Sequence, residues 1–110
     1  MNVYKIIAKY EEDENQSIVI VGKFKENNFL DSDSEYYGYV RDYSDIGYRR
    51  YPFVMEEYDD KNAILDWGGF DDTKTTLNIF RRRIAVGEKL IRTEQNEPSN
   101  YTITEVNQIA

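Results

Sequence analysis

The chain repeats a period of two in its apolar residues, and this constrains its fold more than any other feature. From 101 to 109, Tyr101, Ile103, Glu105, Asn107 and Ile109 alternate with Thr102, Thr104, Val106 and Gln108. From 3 to 10, Tyr4, Ile6, Ala8 and Tyr10 share one face, while Lys5 and Lys9 share the other with Val3 and Ile7. A strand turns successive side chains to opposite faces, whereas a helix needs apolar residues three and four apart. Residues 17–24, "SIVIVGKF", are rich in β-branched side chains and pair with 3–10 across the charged turn "EEDENQ". Gly22, inside that second strand, marks a bulge or a close approach of backbone.

Residues 36–43 and 48–56 form a second hairpin, turning at Ser44-Asp45-Ile46-Gly47. Pro52 has no amide hydrogen to donate and belongs at an edge or a bulge. The intervening "KENNFLDSDS" is a loop with Phe29 and Leu30 as apolar anchors. Residues 88–94 and 101–109 make a last strand pair joined by "QNEPSN". Two stretches stay open. Ala63, Ile64, Leu65 and Trp67 suit a helical turn or a short strand, broken at Gly68-Gly69. Leu77, Phe80 and Ile84 have helical spacing behind a capping Asp72 or Thr73, yet Thr75, Thr76 and Ile79 favour a strand. The expected fold is therefore mainly β, in one domain over 1–110: an antiparallel barrel or sandwich of about six strands with at most one short helix, an α+β arrangement being the alternative.

The residue types that are missing narrow the chemistry. With no cysteine, the chain has no disulfide, thiolate nucleophile or thiolate metal site. With no histidine, it lacks the usual base near neutral pH and the serine–histidine triad. No phosphate-cradling or nucleophile-elbow motif is present. No cofactor is expected. The longest apolar runs are too short to span a membrane, and the N-terminal stretch lacks the pattern of a secretory signal, so a cytoplasmic protein is expected. Two N-x-[ST] matches, at Asn15 and Asn100, have no meaning without secretion. An aromatic content of 15% offsets a charged fraction of 32%, and the chain reads as folded.

The net charge of −7 argues against a nucleic-acid or anionic-membrane partner and favours a basic protein. The charge is uneven. Residues 31–72 hold 12 acids against 4 bases, a net of −8, and the same block holds 7 of the 10 tyrosines. Residues 73–110 carry a net of +2. Tyrosine and arginine anchor binding surfaces because each joins a large contact area to a polar tip. Alternation puts Tyr37, Tyr39, Arg41 and Tyr43 on one face, with Tyr36, Val40 and Asp42 on the other. The expected contact residues are Tyr37, Tyr39, Arg41 and Tyr43, with Asp42, Asp45, Glu56, Glu57, Asp59 and Asp60 supplying charge.

Three motifs dissolve on inspection. "DSDSEYYGYVRD" begins like a calcium loop with Asp31, Asp33 and Glu35. It then puts Tyr36 where the turn needs glycine and Asp42 where a bidentate glutamate belongs. The acids Glu56-Glu57, Asp59-Asp60, Asp66 and Asp71-Asp72, with Trp67 as a stacking ring, suggest glycoside chemistry, but adjacent strand residues point to opposite faces. Arg81-Arg82-Arg83 lacks the aromatic platform of a single-strand binder and reads as a charged loop pairing with the acidic block.

The expected function is that of a small acidic, non-catalytic protein that occludes a basic surface of a partner, as an inhibitor, an immunity protein or a nucleic-acid mimic does. The alternatives are a carboxylate-dependent enzyme acting on glycans and a phage-type assembly subunit pairing through sheet edges.

Overall fold

The computed structural model describes residues 3–24, 30, 36–44, 47–68 and 74–110. Eight antiparallel strands follow one another in order and close into a barrel. They are β1 (Val3–Tyr10), β2 (Gln16–Lys23), β3 (Tyr36–Ser44), β4 (Gly47–Glu57), β5 (Ala63–Asp66), β6 (Thr75–Leu77), β7 (Lys89–Glu94) and β8 (Glu97–Gln108). Closure comes from β1 against β8, which sets Tyr10 beside Tyr101 and bulges between Ile7 and Ala8. Closing the sheet removes the exposed edges that a sandwich would keep. The predicted mainly-β class holds. The strand count is eight, because Ala63–Asp66 and Thr75–Leu77 are both strands.

Of the two readings left open for 73–84, helix or strand, the described part, 74–84, forms a short strand and no helix. Thr75–Leu77 pairs with β5 on one side and β7 on the other. The chain then runs irregularly, with Arg81 at a φ of 54°. Leu77, Phe80 and Ile84 are nevertheless all buried. Their spacing reported burial, and a plug across a barrel end meets that requirement as well as a helix does. The connector "QNEPSN" is shorter than expected. Glu97 to Asn100 belong to β8, and Gln95 and Asn96 alone make the turn, at φ values of 51° and 65°. A two-residue hairpin turn with both residues left-handed matches the twist of its strands.

The inward faces fill the barrel. Ile6, Ile18, Ile20, Met55, Leu65, Leu77, Leu90, Tyr101 and Ile103 are all at most 2% exposed. Eight strands enclose a space that side chains can just fill, and each such aliphatic residue contributes on the order of 1.5–3 kcal/mol through burial. Gly22 lies inside without a bulge. Its missing side chain leaves room for the Tyr36 ring, whose Cδ1 would stand 2.5 Å from a Cβ there.

The two ends differ. At one end Phe24, Leu30, Phe80 and Ile84 close the barrel, with Tyr4 stacked on Phe24 at 4.5 Å and Tyr36 tilted against Phe80 at 6.1 Å. The other end, where β1 meets β2, β3 meets β4 and β7 meets β8, is a mouth lined by polar groups. Here β4 runs beyond β5, while β3 stays paired with β2 as far as Asp42. β4 pairs with β5 only over Val54–Glu57, and among the described residues Tyr48–Phe53 is laddered to β3 on one side, so this half of the β3–β4 hairpin forms an arm at the rim. The molecule is correspondingly long, 41 × 27 × 23 Å.

Candidate functional site

The arm carries the expected contact residues on its outer face. Tyr37, Tyr39, Arg41 and Tyr43 of β3 stand opposite Val54, Pro52, Arg50 and Tyr48 of β4. The Arg50 guanidinium lies 4.7 Å from the Tyr39 ring centre and 5.2 Å from that of Tyr48. Its Nε–H also donates to the Tyr48 hydroxyl. The Tyr48 and Tyr43 rings are 4.7 Å apart, and Arg41 lies 5.9 Å from the Tyr43 ring centre. Rings and guanidinium groups thus alternate along the arm. Guanidinium over an aromatic face is attracted by the ring quadrupole, and the ladder holds flexible side chains in one arrangement before any partner arrives.

Much of this face is open to solvent. Tyr37 is 60% exposed, Tyr43 51% and Tyr48 40%. Beneath it the outer surface is packed. Val19, opposite Tyr39, is fully buried, and the Arg41 guanidinium donates to Ser17 Oγ at 3.4 Å. Tyr36 alternates to the inside, where it is 1% exposed and donates to the Lys23 carbonyl at 3.3 Å. The tyrosine-rich stretch therefore divides between core and surface along the alternation of β3.

The expected acids do not gather with these rings. Asp42 faces inward at the mouth, on the opposite side of β3 from the ladder. Glu56, Glu57, Asp59 and Asp60 lie where β4 turns into β5, at the closed end. The nine residue steps from Tyr48 to Glu57 span about 30 Å at strand rise. Asp59 is occupied structurally: its Oδ1 accepts the amides of Lys61 at 2.9 Å and Asn62 at 2.8 Å, which hold its carboxyl below the ordinary value. Arg81 reaches Asp60 at 3.5 Å, so one member of the arginine run does pair with the acidic block, while Arg82 turns to Glu88 at 3.8 Å. Asp45 lies outside the described residues, as do Phe29, Asp31, Asp33, Glu35, Gly69, Asp71, Asp72 and Thr73.

The fold supplies other acids to the arm. The β1–β2 turn, Glu11 to Glu14, lies at the mouth, and the Tyr43 amide donates to the Asn15 carbonyl at 3.1 Å, tying that turn to the arm. Glu94 and Glu97, flanking the β7–β8 turn, share the same end. These acids are far from the tyrosines in the chain, and the antiparallel order of the strands sets their turns at the same end of the barrel as the arm. The strict alternation of strands 3–10 and 101–109 was the signal that all hairpin turns of one sense would share one end.

The mouth holds a cavity of about 470 Å³, lined among the described residues by Gln16, Val40, Asp42, Tyr51, Pro52, Trp67, Arg92 and Glu94. A shallower groove of about 380 Å³ runs outside the root of the arm past Tyr37, Val54, Asp66 and Trp67. Of the described residues considered for glycoside chemistry, only Trp67 reaches the mouth cavity. Comparison with protein-family models, with curated proteins and with solved structures finds no match.

Proposed function

We propose that this chain is a non-catalytic binding protein that occludes a basic surface of a protein partner, gripping it with the outer face of the β3–β4 arm. The observation that carries this reading is the ladder of Tyr39, Arg50, Tyr48, Tyr43 and Arg41, half-buried on the barrel wall at Tyr39 and Arg41 and exposed at Tyr43 and Tyr48, which lie past the last residue paired with β2. Exposed rings locked by guanidinium groups lose little conformational freedom on binding, which is the property of an anchoring surface. The acids of the β1–β2 turn and of the β7–β8 hairpin sit at the same end. With a net charge of −7 they favour approach to a basic partner and raise its rate of association at low salt.

The experiment is affinity capture from cells of the source organism with three immobilised proteins: the wild type, a Tyr43→Ala/Tyr48→Ala/Arg50→Ala variant of the arm, and a Glu56→Gln/Glu57→Gln variant of the closed end. A basic protein retained by the wild type and the closed-end variant, lost from the arm variant and weakened by high salt is the expected result. Equal retention by the arm variant, or no basic protein retained at all, overturns the proposal. Light scattering of the purified protein checks the assembly alternative, since self-pairing through a sheet edge gives a mass that grows with concentration.

A further inference from the structure

The mouth cavity is a second candidate site, which shares Pro52 with the outer face of the arm but none of the ladder residues. We infer that it is a saccharide-binding cup that takes a neutral mono- or disaccharide. Its size falls within the range of small-ligand sites, and barrel mouths are a common place for them. Val40, a member of the packed core, is part of its lining.

Two rings stand in it. Trp67 is fixed in place: its Nε1–H donates to Thr75 Oγ1 at 3.2 Å, and its ring meets Phe53 edge-on at 5.3 Å and 72°. Tyr51, on the inner face of the arm, is 43% exposed. An aromatic face is negative and attracts the slightly positive C–H groups on the flat side of a sugar ring.

The polar groups are arranged as unused donors beside unused acceptors. Arg92 has its Nε buried with no acceptor, and its guanidinium is held 5.8 Å from the Tyr101 ring centre. Asp42 and Glu94 line the same cavity, and neither makes a side-chain hydrogen bond or ion pair among the described residues. Gln16 accepts from the Tyr101 hydroxyl at 2.9 Å, which fixes its amide and leaves its NH₂ group to donate.

The charge balance selects the ligand class. Two carboxylates against one guanidinium leave the lining at a formal −1, so a phosphate or carboxylate ligand meets net repulsion. A cation meets Arg92. A neutral hydroxyl suits both, donating to a carboxylate with one bond and accepting from the guanidinium with another. Several hydroxyls on a ring with an apolar flat face describe a sugar.

The test is titration of the wild-type protein with cellobiose, maltose and N,N′-diacetylchitobiose, with digalacturonate and L-phenylalanine as charged and zwitterionic comparisons. Calorimetry and the emission of Trp67, the only tryptophan, are the readouts. At least one neutral disaccharide is expected to saturate with a Kd of about 10 mM or tighter, and Asp42→Asn and Arg92→Lys are each expected to weaken it about tenfold or more. Glu105→Gln, exposed on β8 away from the mouth, should leave the titration unchanged. Amide shifts in ¹⁵N spectra of the wild type must centre on Gln16, Trp67, Arg92 and Glu94, which keeps the test decisive if a variant fails to fold. No saturable neutral saccharide, binding of the charged or zwitterionic comparisons alone, shifts centred elsewhere, or an unaltered titration in folded Asp42→Asn and Arg92→Lys overturns the inference.

Discussion

The carbonyl oxygen of Val19 occupies the place where a side chain at residue 38 would begin: a Cβ on Gly38 would meet it at 2.2 Å. Gly38 pairs with Ile20 on one side and Phe53 on the other, at the root of the arm, where β3 approaches β2 closely. Gly38→Ala is therefore expected to destabilise the barrel by about 1–3 kcal/mol or more, because the obstacle is backbone and cannot rotate away. Gly22→Ala meets the Tyr36 ring and the Leu30 side chain instead, at 2.5 and 2.9 Å. Its cost should fall in a Tyr36→Leu background, while Phe53→Leu should not rescue Gly38→Ala. Urea denaturation of the two double-mutant cycles checks this contrast, and equal rescue in both would contradict it.

Tyr101 is fully buried, and its hydroxyl donates to Gln16 Oε1 at 2.9 Å beneath the mouth. Tyr101→Phe should cost about 1 kcal/mol, the net value of one hydrogen bond. Burial pushes the Tyr101 phenol above its ordinary value of 10.0, against a smaller lowering effect of Arg92. The unfolded phenol therefore ionises first as pH rises. The contribution is complete below pH 10.0 and is lost as pH climbs through the higher folded value. Denaturation midpoints measured between pH 8 and pH 11, about the range where phenols begin to ionise, should fall more steeply for the wild type than for Tyr101→Phe.

The hairpins at 3–24, 36–56 and 89–108 were legible because alternation is local: each strand states its own inward face. The strands β5 and β6 were not. Four and three residues are too few to display a period, and each is fixed by its neighbours, Thr76 lying between Ile64 and Thr93. The tyrosine face was readable for the same local reason, since Tyr37, Tyr39 and Tyr43 are two or four residues apart. The mouth cavity was hidden because Gln16, Asp42, Trp67 and Arg92 come from four different strands or strand ends. Only closure of β1 on β8, between residues about ninety positions apart such as Tyr10 and Tyr101, brings them round one opening.

Asp59 binds the β4–β5 turn to itself through the amides of Lys61 and Asn62 and through the Asn62 side chain. Those bonds favour its ionised form and hold its pKa below the ordinary 3.8. Glu11 is lowered in the same sense by Lys89 and Thr102 at the opposite end. Folded carboxyls that bind protons less readily than unfolded ones contribute stability that is present above the ordinary values. That contribution disappears as pH falls through the folded ones. Asp59→Ala should lower the melting temperature at pH 7 by several degrees, with the difference from wild type shrinking towards zero well below pH 3.8. A difference independent of pH would show that the lost contact is not the ionised carboxylate.

The arm makes its own prediction, independent of any partner. Over Tyr48–Phe53 the backbone of β4 is paired, among the described residues, with β3 on one side, while Met55 is paired on both sides. Stability in such a molecule is local, and a strand segment paired on one side opens without unfolding the body. What restrains it is the ladder, in which Arg50 bridges Tyr39 and Tyr48. Native-state hydrogen exchange should show amides of Tyr48 to Tyr51 exchanging well before those of Ile18, Ile20 and Ile103 in the body. Arg50→Ala should speed exchange in the arm about two- to fivefold, equivalent to a weak exposed cation–π contact, and should move the global melting temperature by no more than a few degrees. Arg50→Lys should recover only part of the protection, because an ammonium cannot lie flat between two rings. Unchanged exchange in Arg50→Ala would mean that the rings and guanidinium groups are neighbours without holding one another.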